Sequence, residues 1–301
     1  MKIKCSITLL STFSLLLLNA TSLIVAQEVE NEAEFEYKEE SKKAPKFWGE
    51  LKKEWEACTV TGTQNQSPID ISDNNVLVSA EFGKLIKDYK PADAEIKNRG
   101  HDIMIHWIGN PGKVKIDGID YALQQCHWHS PSEHSINGKR YDMEMHMVHK
   151  DKNDKVAVIA QLYKIGAKPD TFLSKFGIDI ISLVDKHGNS SFGKLDPKEI
   201  QMTGRNYYKY LGSLTVPPCT QGVTWIVNQE LETVSEDQVK LLRDAVHDFA
   251  EKNARPVQPL YGRKIWLYRQ NAKTELVSGS NASKTDEPRV CRGVCMANAT
   301  T

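Results

Sequence analysis

Hydrophobic residues that alternate with polar ones, or that run together, recur through the middle of the chain. Such runs are typical of β-strands, because successive side chains of a strand point to opposite faces of the sheet. They predict strands at residues 124–129, 141–149, 156–165 and 223–227. Asp117-Gly118 predicts the turn of a hairpin within 114–121. A loop containing Asn137-Gly138 joins strands 124–129 and 141–149, so these two can be antiparallel neighbours.

Helical periodicity is rarer. Ser235 and Gln238 form the capping-box pattern that opens a helix, and hydrophobic residues follow on one helical face. Residues 171–186 carry a second hydrophobic stripe at helical spacing. The predicted fold class is β-rich mixed α/β, a central sheet with peripheral helices.

The start of the chain has the pattern of a secretory signal peptide. Two lysines precede a hydrophobic run over residues 7–18, and small residues follow as far as Ala26. A membrane-spanning helix is the alternative, but polar residues end the run before the roughly 20 residues that a bilayer requires. We therefore expect residues 1–26 to be cleaved and the protein to enter the secretory pathway.

The rest of the chain divides by composition into one domain and two tails. Residues 27–43 are mainly Glu and Lys and predict an acidic, flexible arm, because little apolar surface is available to offset the entropy of ordering. Residues 271–301 are rich in Ser, Asn, Gly and Lys and predict a flexible C-terminal tail. Residues 44–270 remain as a single domain, whose length is compatible with one hydrophobic core.

Charge and cysteine content limit the possible partners and the compartment of the protein. Lys and Arg number 39, as do Asp and Glu, so no basic surplus favours a nucleic-acid partner. No later segment is long and apolar enough to span a membrane, and no oligomeric state is predicted. Of six cysteines, five follow the signal peptide, and this odd number leaves at least one free or used between chains. Spacing alone assigns no pairs.

One glycosylation site is expected. Asn189 begins an Asn-X-Ser sequon in the turn-like sequence 188–191, which suits a surface acceptor in a secreted protein.

Three histidines form the candidate metal site. His127 and His129 are two apart in a predicted strand and therefore share one face, and His146 lies in the neighbouring strand. A His-X-His pair alone is common on surfaces and in cores. Three imidazoles with an open fourth position are the ligand set of a catalytic zinc, whereas structural sites usually close all four positions.

Residues near these histidines fit supporting roles. Gln125 and Glu144 have the parity of the ligands, and metal-bound imidazoles need acceptors for their second ring nitrogen. His149 has the opposite parity to His146 and is expected to be structural. His134 lies in the connecting loop, where hydrogen-bonded support is favoured over ligation. Cys126 is expected to face away from the metal as a small buried hydrophobe.

Separate motifs resemble one family. Cys-His-Trp-His-Ser-Pro-Ser-Glu-His at 126–134, Glu-Met-His-Met-Val-His at 144–149 and Gly-Ser-Leu-Thr-Val-Pro-Pro-Cys at 212–219 are similar to the α-carbonic anhydrases, especially plant secretory members. The likeness extends from Trp48 to Arg269. It implies a large, mostly antiparallel twisted sheet, a Zn²⁺ ion in a conical cleft, and reversible hydration of carbon dioxide to bicarbonate and a proton. In carbonic anhydrases zinc lowers the pKa of bound water to about 7, so the implied nucleophile is metal-bound hydroxide.

The resemblance also implies residue roles. Thr215 should accept a hydrogen bond from the hydroxide and donate its own to Glu133. His101 matches the position of the proton shuttle, a task suited to histidine because its pKa lies near operating pH. Cys58 and Cys219 match positions that form a disulfide in secreted members. The apolar wall for carbon dioxide is expected from Val148, Val158, Leu214, Val223 and Trp225.

Two other functions and several compartments are compatible with this family. The first is storage or binding: some plant members are storage or nectar proteins, and some of those have lost ligand histidines, whereas all three are present here. Ester hydrolysis would use the same hydroxide as a side activity. For location, the resemblance favours the extracellular space (apoplast) or the vacuole, with the chloroplast reached by the secretory route as another destination.

Overall fold

The computed structural model describes residues 34–59, 65–79, 83–184, 186, 188–202, 205–246 and 250–269. Within them, the strands form one sheet of thirteen strands and one of three. The strands are β1 Asp70–Ile71, β2 Val76–Ser79, β3 Ile86–Tyr89, β4 Ala92–Asn98, β5 Ile103–Ile108, β6 Gly112–Ile116, β7 Ile119–His129, β8 Ser135–Ile136, β9 Lys139–Arg140, β10 Met143–Lys150, β11 Val156–Ile165, β12 Gly188–Leu195, β13 Tyr207–Ser213, β14 Gln221–Asn228, β15 Glu232–Val234 and β16 Ile265–Tyr268. The helices are α1 Trp48–Leu51, α2 Gly177–Ser182 and α3 Glu236–Ala245.

The large sheet runs in the order β12-β4-β5-β7-β10-β11-β14-β13-β16-β2, with β3, β6 and β15 paired off this path. Most neighbours are antiparallel, including β7 with β10 and β10 with β11, whereas β11 with β14 and β16 with β2 are parallel. The predicted β-rich fold with a large, mostly antiparallel central sheet is confirmed. Among the described residues, no helix has the length and hydrophobicity needed to cross a membrane.

The central strands lie between two hydrophobic cores, a larger and a smaller one. On β10, Met145 and Met147 belong to the larger hydrophobic core. Val148 belongs to a smaller core on the other face, together with residues of β11 and β14. Glu144 and His146 share that second face, because strand residues two apart point the same way. Glu144 and His146 are therefore buried on the same side of the strand.

The helices follow the prediction only in part. Helix α3 begins after Ser235, whose side chain accepts from the Gln238 backbone in the predicted capping box. The helix expected over residues 171–186 is shorter: a tight 3₁₀ turn covers Leu173–Phe176, and α2 covers only Gly177–Ser182. A glycine and several β-branched isoleucines lower the helix propensity of this segment, although its predicted hydrophobic stripe is buried.

The flexible arm predicted for residues 27–43 differs from the structure over residues 34–43. Phe35 and Tyr37 are buried, and the Phe35 ring packs edge-on against Trp48 with 5.2 Å between centroids. Trp48 Nε1 donates to the carbonyl of Lys43 at 2.9 Å. Two aromatic side chains among the charges supply enough apolar surface to hold this segment. Residues 27–33, the signal peptide and the tail with Cys291 and Cys295 lie outside the described residues.

A disulfide joins the N-terminal segment to the loop after β13. Cys58 and Cys219, 161 residues apart, form the bridge that the resemblance implied. Cys126 is free and buried in the larger core, on the face of β7 opposite His127 and His129.

Candidate metal centre

Strands β7 and β10 bring His127, His129 and His146 together. In the antiparallel register His146 lies directly opposite His127, and Glu144 lies opposite His129. The ring centroids are 4.6–5.1 Å apart, and the three side chains are at most 2% exposed. One ligand atom from each ring lies within 4.8 Å of the others. The convergence predicted from strand parity is present in the structure.

Each imidazole is held through one ring nitrogen. His127 Nδ1 lies 2.8 Å from Gln125 Oε1, His129 Nδ1 lies 2.7 Å from the carbonyl of Asn253, and His146 Nε2 lies 2.7 Å from Glu144 Oε1. Because a carbonyl or carboxylate oxygen can only accept, the held nitrogen donates and the other one keeps its lone pair.

The remaining ring nitrogens test whether a metal fits. They are His127 Nε2, His129 Nε2 and His146 Nδ1, and the buried His129 Nε2 has no hydrogen-bond partner among the described residues. A buried polar atom without a partner is costly, and a cation removes that cost. Three convergent neutral nitrogens match the preference of zinc for nitrogen ligands.

Carboxylates around the histidines favour a positive charge. Glu144 accepts from the backbone N–H groups of Glu133 and His134 and from the rings of His134 and His146, at 2.6–2.8 Å. Burial alone would raise the pKa of Glu144, but these neighbours outweigh it and hold the pKa well below its usual range. Burial would likewise lower the pKa of His129, but Glu133 and the Asn253 carbonyl outweigh burial and raise it. The surroundings therefore stabilise a cation here.

A hydrogen-bonded chain continues away from the site. His134 Nδ1 contacts Glu144 Oε1, and His134 Nε2 lies 2.7 Å from the Tyr210 hydroxyl. That hydroxyl lies 2.8 Å from Ser67 Oγ. His134 thus supports Glu144, in agreement with its predicted role, although an alternative three-residue cluster includes it.

Comparisons with known proteins decide the family. The profile of eukaryotic-type carbonic anhydrases matches residues 43–269. Alpha carbonic anhydrase 7 of Arabidopsis thaliana is 49% identical over 243 residues, which cover 80% of this chain and 87% of that protein. The chain belongs to the eukaryotic-type carbonic anhydrase family.

Solved structures of other carbonic anhydrase relatives share the fold. A crystal structure of dioscorin complexed with ascorbate has a TM-score of 0.75 at 39% identity, covering 79% of this chain and 98% of that one. The α-carbonic anhydrase of Thermovibrio ammonificans, solved with sulfanilamide, has a TM-score of 0.69 at 35% identity, covering 77% and 98%.

Glu133 and Thr215, which the resemblance placed beside the metal, do not form the predicted contact with each other. Both are buried, and Glu133 Oε1 accepts from the backbone N–H of Arg255 at 2.9 Å. Glu133 Oε2 lies 3.7 Å from His129 Nε2 and has no hydrogen-bond partner among the described residues. The bond from the Thr215 hydroxyl that the resemblance implied is therefore not formed in this structure.

The five residues expected to form the apolar wall come together in the smaller hydrophobic core. Val158 pairs in register with both Val148 and Trp225, and the Trp225 ring centroid lies 4.8 Å from that of His146. This apolar cluster therefore adjoins His146.

His101 is more enclosed than a solvent-facing shuttle would be. It precedes β5, is 1% exposed, and its ring lies 5.1 Å from that of Phe35. Its Nε2 lies 3.6 Å from Asp102 Oδ2. Arg99 donates to that same carboxylate and, against the opposing effect of burial, holds the pKa of Asp102 below its usual range. The N-terminal segment thus covers the predicted shuttle.

Sequence reasoning missed the roles of Asn253 and Arg255. Asn253 orients His129 through its carbonyl, and its side-chain amide donates to the carbonyls of His101 and Trp128. The buried Arg255 side chain donates to Ser67 and Cys58 carbonyls, while its backbone N–H holds Glu133. Both residues belong to Asn-Ala-Arg-Pro at 253–256, a further motif similar to the family within the stretch from Trp48 to Arg269, and this was the available signal.

Proposed function

We propose that this chain catalyses the zinc-dependent, reversible hydration of carbon dioxide to bicarbonate and a proton. The observation that carries the proposal is the set of three buried imidazoles, each held by an acceptor on one nitrogen so that the other three nitrogens converge. Zinc held by His127, His129 and His146 would supply a Lewis acid that ionises water near neutral pH.

The chain's own residues would orient the reaction. Glu133 Oε2 can accept from the Thr215 hydroxyl, since Oε1 is already engaged by the Arg255 backbone. The Thr215 oxygen then becomes an acceptor only toward the attacking water, which turns a lone pair of that water toward carbon dioxide.

The apolar wall would bind the substrate. Carbon dioxide is small and uncharged, so a surface of valine, leucine and tryptophan side chains holds it without competing for its oxygens. Val148, Val158, Leu214, Val223 and Trp225 form one cluster beside His146, which supports this assignment.

We assign proton export to His101. Because Phe35 covers its ring, exchange with solvent requires displacement of the segment that contains Phe35. His101→Ala should slow steady-state hydration in dilute buffer, and added imidazole should restore the rate, since general acid–base groups of matched pKa can substitute for the side chain. An unchanged rate in dilute buffer would remove His101 from the pathway.

Two features support a secreted glycoprotein. The Cys58–Cys219 disulfide is typical of proteins that fold in an oxidising compartment. Asn189 is exposed on β12, with its side chain 3.1 Å from Glu95, so a glycan can be attached there. Both the secretory route and this glycosylation are part of the proposal.

The proposal is tested by zinc analysis combined with a carbon dioxide hydration assay on purified protein. The wild type should contain zinc and hydrate carbon dioxide, and His127→Ala should lose both. Full activity in His127→Ala would contradict the proposal.

A further inference from the structure

His106 lies on β5, on the face of the sheet that carries the three candidate ligands. In the antiparallel register of β5 with β7, His106 is opposite Gln125 and Met104 is opposite His127. Residues opposite each other share a face of the sheet, and Gln125 holds the His127 ring on that face through Oε1 at 2.8 Å. His106 is therefore the diagonal neighbour of His127, with about 7–8 Å between Cα atoms. A short chain of water molecules can bridge such a gap.

The same face of β5 leads from the candidate metal centre to solvent. Ile105 and Trp107 belong to the larger hydrophobic core, so the residues between and beside them point the other way. Along that other face the exposed fraction rises from 3% at Met104, through the half-buried His106, to 47% at Ile108. His106 is the middle residue of this path.

His101, by contrast, is enclosed. Its side chain is 1% exposed, and the Phe35 ring centroid lies 5.1 Å from that of the imidazole. A proton that leaves through His101 must wait until the covering segment is displaced. The half-buried His106 can exchange protons with buffer without such a movement.

We propose that His106 is a second proton-export residue, which works in parallel with His101. The inference rests on the proposed hydration function. A ring nitrogen of the neutral imidazole accepts one proton that water carries from the site, and the resulting imidazolium releases one proton to buffer, so each cycle restores the imidazole. Histidine suits this task because its ordinary pKa lies near neutral pH.

Charged neighbours on β4 act on this imidazole. Glu95 lies directly opposite His106, and Lys97 lies opposite Met104 and therefore on the diagonal. Lys97 Nζ is 3.9 Å from Glu95 Oε2. The directly opposite carboxylate stabilises the imidazolium, and the diagonal ammonium opposes this effect in part. On the other side of β5, the residue opposite His106 is the uncharged Gln125.

The experiment follows ¹⁸O exchange between carbon dioxide and water in the zinc-loaded full chain at chemical equilibrium. It measures two rates: interconversion of carbon dioxide and bicarbonate, which needs no proton export, and release of labelled water, which does. His106→Gln should slow the release of labelled water by about tenfold, less than the hundredfold or more of a lone acid–base group, because His101 remains. The loss should be confined to this rate, and added imidazole should restore it.

Other variants compare the two routes. His101→Ala should slow the release of labelled water less than His106→Gln does, and the double variant should slow it more than either. His149→Gln is the matched control, because it makes the same substitution on the opposite face of the sheet, and it should change neither rate.

Glu95→Gln tests the proton on His106 itself. Without the opposite carboxylate the imidazolium gives up its proton more readily, so the midpoint of the pH profile for labelled-water release should move to lower pH by about half a unit. A merely structural role of His106 predicts no such shift.

Three results decide between these outcomes. Unaltered release of labelled water in His106→Gln would overturn the proposal, as would a loss that imidazole does not restore. Absence of interconversion in the zinc-loaded wild type would instead contradict the proposed function, so the two failures are distinguishable.

Discussion

His146 and His149 lie three residues apart on β10 and are equally enclosed, at 1% and 0% exposure, yet they face opposite sides of the sheet. His146 is surrounded by Glu144, His127 and His129. His149 instead stacks on Tyr89 and shares a 2.8 Å hydrogen bond with its hydroxyl. Burial lowers the pKa of both imidazoles.

The difference lies in the neighbours, not in burial. Burial favours the neutral form of His146 and of His149 alike. Only on the His146 face do acceptors hold one nitrogen of each ring, so that several lone pairs meet at a common point. A neutral histidine is thus necessary for the metal centre, but the centre forms only where three such side chains converge.

The largest expected effect comes from removing the converging ring. His146→Ala leaves two imidazoles, fewer than the three protein ligands of a catalytic zinc, so both zinc and hydration activity should be lost. His149→Gln is the matched control and should keep zinc content and rate at wild-type values. Metal analysis and stopped-flow hydration measure both variants. Equal losses in the two would show that burial, and not convergence, matters.

A smaller effect is expected from the acceptor behind His146. Glu144→Gln keeps the shape but loses the charge that receives four hydrogen bonds, so zinc affinity should fall ten- to a hundredfold. Glu95→Gln, at a half-buried carboxylate of β4, should leave affinity unchanged. Zinc competition with a chelator provides the measurement. Unaltered affinity in Glu144→Gln would mean that Glu144 does not orient the ring.

His149 should control acid stability. Its pKa is 6.5 in the unfolded chain and about 4 in the folded protein, so the unfolded state binds the proton first as pH falls. Its contribution is complete above pH 6.5 and is lost down to about pH 4, a change of up to about 3 kcal/mol in the free energy of unfolding. Urea unfolding at several pH values should show a shallower loss in His149→Gln. Parallel curves for both proteins would contradict this assignment.

The smallest effect concerns the hydroxyl that contacts His149. Tyr89→Phe removes one buried hydrogen bond and should cost about 1 kcal/mol of unfolding free energy, while zinc affinity and hydration rate stay unchanged. Urea unfolding at neutral pH measures the loss. A change in zinc affinity would reveal coupling between the two faces of β10.

Local periodicity explains what could be predicted. The two-residue repeat of a strand separates His127, His129 and His146 from Cys126 and His149, and the structure has that separation. The capping box at Ser235 is equally local, and it opens α3 as predicted.

Contacts between distant segments could not be predicted from periodicity. Asn253 reaches His129 across 124 residues, and Tyr210 reaches His134 across 76. The burial of Phe35 could not be predicted, because Glu and Lys dominate its segment of the sequence. Average composition does not register two aromatic side chains that pack on a tryptophan. Such contacts depend on the completed sheet.

Zinc titration of the metal-stripped protein tests most directly whether the three histidines form a catalytic centre. Carbon dioxide hydration should be absent without zinc, rise in proportion to added zinc, and saturate at one equivalent per chain, with the same curve for His149→Gln and no response for His146→Ala. Full activity in the stripped protein, or zinc saturation without hydration, would contradict a zinc-dependent carbonic anhydrase.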